Sequence, residues 1–244
     1  MVKIGDFIFK YRNIIFPLFF IMLVVGVRPL PESGHAEVWR YAIGITVALA
    51  GQTIRALTIG LAYIIRGGRE RKVYAKTLVK DGIFAHCRNP LYLGNILIVT
   101  GLGIAAHSVP FYVIGIPLFI FMYMAIIRAE EHFLATTFGE EYAEYLRKVN
   151  RLIPKLSGIR ETMNSMQFNW RRLIVKEYGT TYTWIICMIL LIMKNHYLHY
   201  GLEPSRTVLV TSALLLILVT VLYAVARFLK KSGLLTADKR SVAR

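Results

Sequence analysis

The chain has 244 residues, which is enough for one or two domains of ordinary size. Hydrophobic residues make up 56% of it and charged residues 18%, and the mean hydropathy is +0.51. This composition lacks the polar residues with which a soluble protein of this size covers its surface, so it excludes a soluble globular protein. Apolar runs of about 20 residues, the length of a bilayer-spanning helix, indicate a multi-pass membrane protein.

Thirty basic residues against fourteen acidic residues give a net charge of +16. The basic residues lie at the edges of the apolar runs and not on one soluble face, so we expect the membrane, and not nucleic acid, as a partner. The two cysteines, Cys87 and Cys187, are too few for a disulfide framework or a four-thiolate zinc site, and we expect no bound metal. Residues 1–13 form a basic flank with no small-residue cleavage site after it, and we expect a retained first helix.

Six apolar stretches predict an all-α, polytopic membrane protein with about six transmembrane helices. The first and fifth stretches are short and need their flanking residues to cross a bilayer. In chain order the predicted spans are residues 14–27, 41–65, 91–107, 110–127, 182–193 and 207–226.

The basic residues predict the orientation of these spans. They cluster before the first span, between the second and third, between the fourth and fifth, and after the sixth. Because cytoplasmic loops collect Lys and Arg, both termini and the two large loops, residues 66–90 and 128–178, are predicted to face the cytoplasm. The hairpin of the third and fourth spans would bring these two loops together, but the sequence does not separate the inner membrane from the endoplasmic reticulum.

The first segment with candidate functional residues is residues 81–95, DGIFAHCRNPLYLGN. Pro90 suits the first turn of a helix, and Asn89 before it suits the N-cap. One interpretation is that this pair only begins the third span and that Arg88 anchors the span at lipid phosphates. The other is that Arg88 and the free N–H groups of the helix N-terminus form an anion site.

The second segment is residues 128–154, RAEEHFLATTFGEEYAEYLRKVNRLIP. Apolar residues recur in it at three- and four-residue steps, which predicts an amphipathic helix with a break at Gly139. Glu130 and Glu131 come directly off the fourth span, where acids are costly and indicate a functional site. A salt-bridged cytoplasmic helix is the alternative, and it is the favoured interpretation for the remaining acids, Glu140, Glu141 and Glu144.

Together the two segments resemble the superfamily of isoprenylcysteine carboxyl methyltransferases and phospholipid methyltransferases. GIFAHCRNPLYLG is similar to its signature G-x-[FY]-x-x-x-R-[HN]-P-x-Y-x-G. EEHFLATTFGEEYAEYLRKVNRLIP is similar to its second signature, E-E-x-x-L, then F-G-x-x-Y-x-x-Y, then a basic residue-x-x-P. The resemblance covers residues 82–154 and departs from the common pattern at Asn89, where the family often has His. It divides the chain into an N-terminal pair of spans, a methyltransferase core and a C-terminal pair, at residues 1–80, 81–158 and 159–244.

The resemblance implies a methyltransferase that uses S-adenosylmethionine in a cytoplasm-facing pocket and takes a lipid or lipophilic acceptor from the bilayer. Arg128 and Glu131 are the implied catalytic residues. The implied cofactor-binding residues are Gly82, Phe84, Arg88, Asn89, Pro90, Tyr92, Gly94, Glu130, Glu131, Tyr142, Tyr145 and Arg151.

The chemistry of these residues suits the implied cofactor. Arg88 and helix N–H groups suit its carboxylate, and Glu130 or Glu131 suits its ribose diol or its ammonium. Aromatic rings such as Tyr92 suit its adenine or its sulfonium methyl. The sequence leaves the acceptor open between a carboxylate, an amine and a thiol. For a carboxylate acceptor, an arginine such as Arg128 would orient the reacting oxygen.

Two other function classes remain as alternatives. Membrane sterol reductases carry a related Arg-x-Pro-x-Tyr-x-Gly segment, so NADPH-dependent reduction is the rival activity. A transporter or scaffold is the other class, and Arg55 within the second span would belong either to its polar pathway or to an acceptor pocket. The pair Gly101 and Gly103 lies inside an apolar span and predicts close helix packing, not a dinucleotide site.

The residue roles that the resemblance implies are testable without knowledge of the acceptor. Replacing Glu131 by Gln or Arg88 by Ala removes a charged cofactor contact, so each substitution is expected to weaken cofactor binding at least tenfold, or about 1.4 kcal/mol. Calorimetric titration of the detergent-purified protein with S-adenosylhomocysteine measures this change. Glu141→Gln is the control and should be nearly silent, whereas unchanged affinity in folded Glu131 and Arg88 variants would contradict both assignments.

Overall fold

A computed structural model describes residues 1–31, 34–61, 66–69, 72–75 and 77–236. The described chain is predominantly helical, as predicted, with one short antiparallel hairpin of strands β1 and β2 in the first large loop. The helices are α1 (Val2–Gly26), α2 (His35–Leu61), α3 (Pro90–Ala106), α4 (Ile116–Lys148), α5 (Ile159–Asn164), α6 (Trp170–Tyr200) and α7 (Leu202–Lys231), and the strands are β1 (Arg66–Arg69) and β2 (Lys72–Ala75).

Several of these helices are long and apolar enough to cross a membrane. Among the described residues they are α1, α2, the helical run Phe111–Lys148 and α7, and α3 is a shorter apolar helix of 17 residues. Helix α6 has 31 residues, but its first half carries polar side chains and it is not one of these four. The chain therefore has the helices of a membrane protein. The count of six spans and the cytoplasmic side of the termini stay predictions.

Helix α4 is the element that carries the second motif. It continues without interruption past residue 127, where the fourth span was predicted to end, so Glu130 and Glu131 extend directly from an apolar helix. At Gly139 the backbone leaves the helical region and takes a φ of 52°, a left-handed conformation that glycine adopts without a steric penalty. The predicted break at this position is confirmed, and it turns the last part of the helix to a new direction.

Helices α2 and α3 approach each other closely along paired glycines. A Cβ at Gly51 would lie 2.5 Å from the carbonyl oxygen of Gly94, and a Cβ at Gly44 would lie 2.7 Å from that of Gly101. Apolar helices gain no hydrophobic energy from association within lipid, so small residues that let two backbones pack at van der Waals distance supply the attraction. The predicted packing role of Gly101 is confirmed, and a Cβ at Gly103 would meet the Phe111 ring.

Helix α1 lies against α4, and the two run antiparallel. Gly5 packs on Ala125 near one end of the contact, and the Phe19 ring lies 5.8 Å from the Phe111 ring near the other. Between them, the Phe16 ring stacks on Tyr123 with 5.3 Å between ring centroids. This aromatic layer leaves α1 as one wall of the space enclosed by the bundle.

Helices α6 and α7 form a second hairpin that closes the opposite side. Gly201, with a φ of 78°, reverses the chain between them, and the rings of Tyr182 and Tyr223 stack at 4.2 Å. Helix α6 also contacts the α2–α3 pair, because the Asn195 side chain donates to the carbonyl of Ala105 at 3.0 Å. The bundle therefore surrounds a space between α1 and α6, with α3 and α4 behind it.

The glycine contact between α2 and α3 predicts a sharp difference between two similar substitutions. Gly51→Ala places a methyl group against backbone atoms of α3, and the forced displacement is expected to lower the free energy of unfolding by about 1–3 kcal/mol. Gly179→Ala in α6 is the matched control. Apart from its own helix backbone, no atom of the described residues lies within 4 Å of its Cβ position, so the helix propensity of alanine should leave stability equal or raise it by up to about 1 kcal/mol. Reversible unfolding in mixed micelles measures both, and equal effects would contradict the packing assignment.

Candidate functional site

The two sequence motifs meet at the ends of α3 and α4. The Arg88 N–H donates to the carbonyl of Asn150 at 3.0 Å, and the Lys155 N–H donates to the carbonyl of His86 at 2.9 Å. The Asn89 side chain adds a bond to the carbonyl of Arg151 at 3.2 Å. These bonds satisfy backbone groups in the segment just before α3 and in the loop after α4, and they hold both motifs in one unit. This end of the bundle is called the motif end below.

The side chains of His86 and Cys87 form hydrogen bonds that hold this unit together. The His86 ring lies between the Lys155 carbonyl, at 2.7 Å from Nδ1, and the Thr162 hydroxyl, at 2.9 Å from Nε2. The Cys87 thiol donates to the Leu152 carbonyl at 3.4 Å, and burial raises the pKa of this thiol above its ordinary value. A buried, protonated thiol is a poor nucleophile, so the site offers no activated cysteine.

Glu131 is the centre of a charged cluster at the motif end. Its carboxylate accepts two bonds from Arg151, at 3.1 Å from Nε and 2.7 Å from the terminal nitrogen, and an Arg88 nitrogen lies 3.6 Å away. The hydrogen bond to Glu131 raises the pKa of Arg151. The side chains of Arg88 and Glu131 are only 11% exposed, and the Nε of Arg88 is buried with no hydrogen-bond partner among the described residues. The cluster thus holds a free donor beside a neutralised carboxylate.

Four of the predicted site residues have packing roles. Tyr145 donates its hydroxyl hydrogen to the Phe84 carbonyl at 2.7 Å, and Tyr142 is buried beside it. Gly82 has a φ of 64° and faces the Met166 side chain, whereas Gly94 faces α2. Tyr142 and Tyr145 pack behind the first motif, and none of these four residues lines the cavity described next.

A cavity of about 780 Å³ opens between the helices beside the motif end. Glu130 extends from α4 into its wall and accepts a hydrogen bond from the Tyr92 hydroxyl at 2.7 Å. The predicted site residues that line this cavity are Phe84, Asn89, Pro90, Tyr92 and Glu130. A volume of this size suits a cofactor-sized or drug-sized ligand. The structure therefore gathers part of each motif around one enclosed space.

The wall that α1 and α4 contribute is aromatic. Phe16, Pro17 and Phe20 line the cavity from α1, and Phe119 and Tyr123 line it from α4. The α4 residues that face the cavity continue through Ile126 to Glu130 at three- and four-residue steps. The lining therefore changes from apolar to acidic along a single helix face as it nears the motif end.

The opposite wall holds a buried ion pair that the sequence motifs do not include. Arg55 of α2 donates to both oxygens of Glu177 of α6, at 2.6 and 2.8 Å, and to the Asn95 side chain of α3 at 2.8 Å. Arg55 is 8% exposed and Glu177 is 2% exposed. Gln52 joins the network, since its oxygen accepts from the Trp184 indole at 2.8 Å. Of these residues only Arg55 was a candidate from the sequence. A lone acid in the polar half of α6 was the signal for Glu177.

Arg128, the predicted catalytic cation, lies elsewhere. Its side chain is exposed, and it is not among the residues that line the cavity. The reason is helical phase, because Arg128 is two residues from both Ile126 and Glu130 and so is rotated by about 200° from the face that they share. The arginines that line the cavity are Arg12 of α1 and Arg55 of α2.

Residues 39–141 match the family model described as phospholipid methyltransferase. Over this segment, which is less than half of the chain, the match agrees with the superfamily that the two motifs resemble, and it suggests a membrane methyltransferase. It includes the first motif and Glu130 and Glu131 of α4. Helix α1, residues 142–154 of the second motif and the α6–α7 hairpin lie outside it.

Two curated relatives are similar to about half of the chain. The cobalt-zinc-cadmium resistance protein CzcN of Cupriavidus metallidurans is 36% identical over 115 residues, which are 47% of this chain and 48% of the relative. The nickel-cobalt-cadmium resistance protein NccN of Alcaligenes xylosoxydans xylosoxydans is 32% identical over 132 residues, which are 52% of this chain and 59% of the relative. No solved structure matches the chain. Among the described residues, no group of three His, Cys, Asp or Glu side chains is placed to hold a metal ion.

The buried ion pair predicts that removing one charge lowers the free energy of unfolding strongly and that removing both charges restores most of it. Glu177→Gln leaves the Arg55 guanidinium buried without a counter-charge, and the expected loss in the free energy of unfolding is about 3–5 kcal/mol. The double variant Arg55→Met, Glu177→Leu removes both charges and should recover most of that loss. Unfolding in mixed micelles measures all variants.

The exposed pair of Lys80 and Glu141, with 2.8 Å between the charged atoms, is the matched control, and Glu141→Gln should leave stability nearly unchanged. A Glu177→Gln variant as stable as the wild type would show that the Arg55 charge is solvated within the cavity and does not depend on its partner.

Proposed function

We propose that this protein is an integral membrane methyltransferase that transfers the methyl group of S-adenosylmethionine to a lipid or lipophilic acceptor. The observation that carries the proposal is the position of Glu130. It is an acid beside the meeting point of both motifs, and it faces a cavity with an aromatic wall from α1 and α4 and a neutralised ion pair on the opposite wall. One end of the cavity thus suits a cation, and the aromatic wall suits an apolar molecule.

The residues around the cavity fit the cofactor. The Glu130 carboxylate offers a negative charge to an ammonium or a sulfonium, and the faces of Tyr92 and Tyr123, whose ring centroids are 5.3 Å apart, suit the same positive charge. Arg88 lies at the motif end and does not line the cavity, but its buried Nε has no hydrogen-bond partner among the described residues and suits a carboxylate. We infer that Arg88 and Glu130 bind the two ends of the cofactor's charged portion.

Glu131 and Arg151 have a supporting part in this proposal. Glu131 accepts two bonds from Arg151 and holds Arg88 within 3.6 Å, so it orients Arg88 and limits the rotation of that side chain. Arg151 comes from the loop after α4, so the same ion cluster ties the loop to the first motif. Loss of Glu131 would therefore act on the cofactor through Arg88.

Bound S-adenosylmethionine supplies an electrophilic methyl group that is displaced in line from a sulfonium, and a neutral thioether remains. The contribution of the chain is to align the acceptor with this methyl group and to keep water out. The aromatic layer of Phe16, Phe119 and Tyr123 excludes water from one side, and Trp184 with its bond to Gln52 closes the other. Such a site needs no metal or nucleophilic side chain for the transfer itself.

Parallel calorimetric titrations test this function. The detergent-purified protein should bind S-adenosylhomocysteine saturably with micromolar affinity and should not bind NADPH. Glu130→Gln removes the charge at the cavity wall and should weaken the binding about tenfold, whereas Glu141→Gln, on the exposed part of α4, should have no effect. Binding of NADPH alone would identify a reductase. Binding of neither ligand by folded protein would favour a transporter or scaffold.

Transfer of a labelled methyl group then identifies the acceptor class. Membranes that contain the protein are incubated with methyl-labelled S-adenosylmethionine, and the organic extract is counted. A label that mild base releases as volatile methanol shows a carboxyl ester, and a base-stable label shows a methylated amine, thiol or phosphate. Counts equal to those of membranes without the protein would contradict a lipophilic acceptor.

A further inference from the structure

Three charged side chains line the cavity, and two of them have partners in the described chain. Arg55 is neutralised by Glu177, and Glu130 accepts the Tyr92 hydroxyl. Arg12 differs, because it forms no ion pair with a described carboxylate, and its guanidinium lies over the Phe9 ring at 4.2 Å. The cavity therefore presents one positive charge that the described residues leave without a counter-charge.

Arg12 lies on the part of α1 that approaches Glu130. Gly5 contacts the Ala125–Ala129 part of α4, and Phe16 contacts Tyr123, so Arg12 falls between these two contacts, one turn from Phe16. The cavity thus has a positive charge from α1 and a negative charge from α4 near its motif end. Two opposite charges in one cavity orient a ligand, because each attracts ligand groups of the opposite charge and repels groups of its own charge.

Apolar residues follow Arg12 along the same side of α1. Phe16, Pro17 and Phe20 come four, five and eight residues later and line the cavity, which is the spacing of one helix face. A molecule with a charged head at Arg12 would lay an apolar chain along these three side chains. The shape of this wall therefore corresponds to an amphiphile with its head at the motif end.

We propose that Arg12 positions the acceptor and selects one with an anionic oxygen head, a carboxylate or a phosphate, and an alkyl tail. The proposal rests on the proposed function, in which Glu130 takes the cationic part of the cofactor. Arg12 holds the anionic oxygen, and Glu130 repels it from the cofactor's own cation site. In the transfer, this oxygen forms the bond to the methyl carbon, the carbon–sulfur bond breaks with its electron pair on sulfur, and no proton has to be removed.

In this assignment, the residue that selects the acceptor lies outside the segment that matches the family model. Arg12 and the apolar residues after it lie in α1, outside residues 39–141. It also gives to Arg12 the orienting role for which the sequence suggested Arg128, whose side chain is exposed and outside the cavity. The cofactor end and the acceptor end of the site are thus built by different parts of the chain.

Trp184 provides a direct reporter, because it lines the same cavity. The other two tryptophans, Trp39 and Trp170, are exposed, and replacing both by Phe leaves Trp184 as the single fluorophore. The probes are ω-bromododecanoate and ω-bromododecyltrimethylammonium in micelles of an uncharged detergent, and bromine quenches a nearby indole. The anionic probe should quench Trp184 saturably at a concentration about tenfold lower than the cationic probe does.

Substitutions at Arg12 test the source of this preference. Arg12→Gln should abolish it, Arg12→Lys should retain it, and the exposed neighbour substitution Lys10→Gln should have no effect. Equal quenching by both probes in the reporter protein would overturn the proposal, and so would an anionic preference that survives Arg12→Gln. The charge-conserving lysine variant and the two-probe comparison in the reporter protein keep the test decisive if the Gln variant does not fold.

Calorimetry separates this proposal from the proposed function. Arg12→Gln should leave the affinity for S-adenosylhomocysteine unchanged, and a tenfold loss would assign Arg12 to the cofactor carboxylate and overturn its acceptor role. Absence of S-adenosylhomocysteine binding by the wild-type protein would instead contradict the methyltransferase function. In that case an anionic preference in the fluorescence assay would identify a binding site for anionic amphiphiles without methyl transfer.

Discussion

The pairing of backbone groups between residues 86–89 and 150–155 is the constraint on which the site depends. Backbone N–H and C=O groups in the segment that enters an apolar helix are costly beside a membrane when they have no partner. The Asn150 carbonyl accepts the Arg88 N–H, the His86 carbonyl accepts the Lys155 N–H, and the Arg151 carbonyl accepts the Asn89 side-chain amide. The chain after α4 therefore returns to the segment just before α3. This return fixes the position of Glu131 beside Arg88 and of Glu130 at the cavity.

Electrostatics at low dielectric explains why the charges near the cavity have different roles. A buried charge is tolerated when an opposite charge and hydrogen bonds satisfy it, as in the pair of Arg55 and Glu177. That pair joins α2 to α6 and gives the cavity a polar wall without net charge. Arg12 has no such ionic partner among the described residues, so its charge remains available to a ligand. The charges that join helices are thus neutralised by a protein partner, whereas the charge proposed to bind a ligand is not.

The sequence predicted the parts of the fold that depend on local pattern. The membrane class, the break at Gly139, the tight packing at Gly101 and the family of the motif segment all follow from composition, spacing or backbone conformation. The predicted fourth span and the predicted amphipathic helix after it form one helix, α4, and the ends of the spans stay predictions. The sheet hairpin in the first large loop was not predicted, since residues 66–75 carry no alternating apolar pattern. Contacts between distant helices, such as Arg55 with Glu177, have no local signature.

Helical phase could have corrected one functional assignment without a structure. On α4 the apolar residues Phe119, Tyr123 and Ile126 define a face that leads to Glu130, and Arg128 lies on the other side of the helix. An arginine chosen by its nearness in sequence to the acids is therefore turned away from them. An arginine on another helix, Arg12, reaches the same space because α1 packs against α4 at Gly5 and Phe16. A methyl-transfer site between helices needs its opposite charges on different helices, since one helix face cannot direct both toward a ligand from opposite sides.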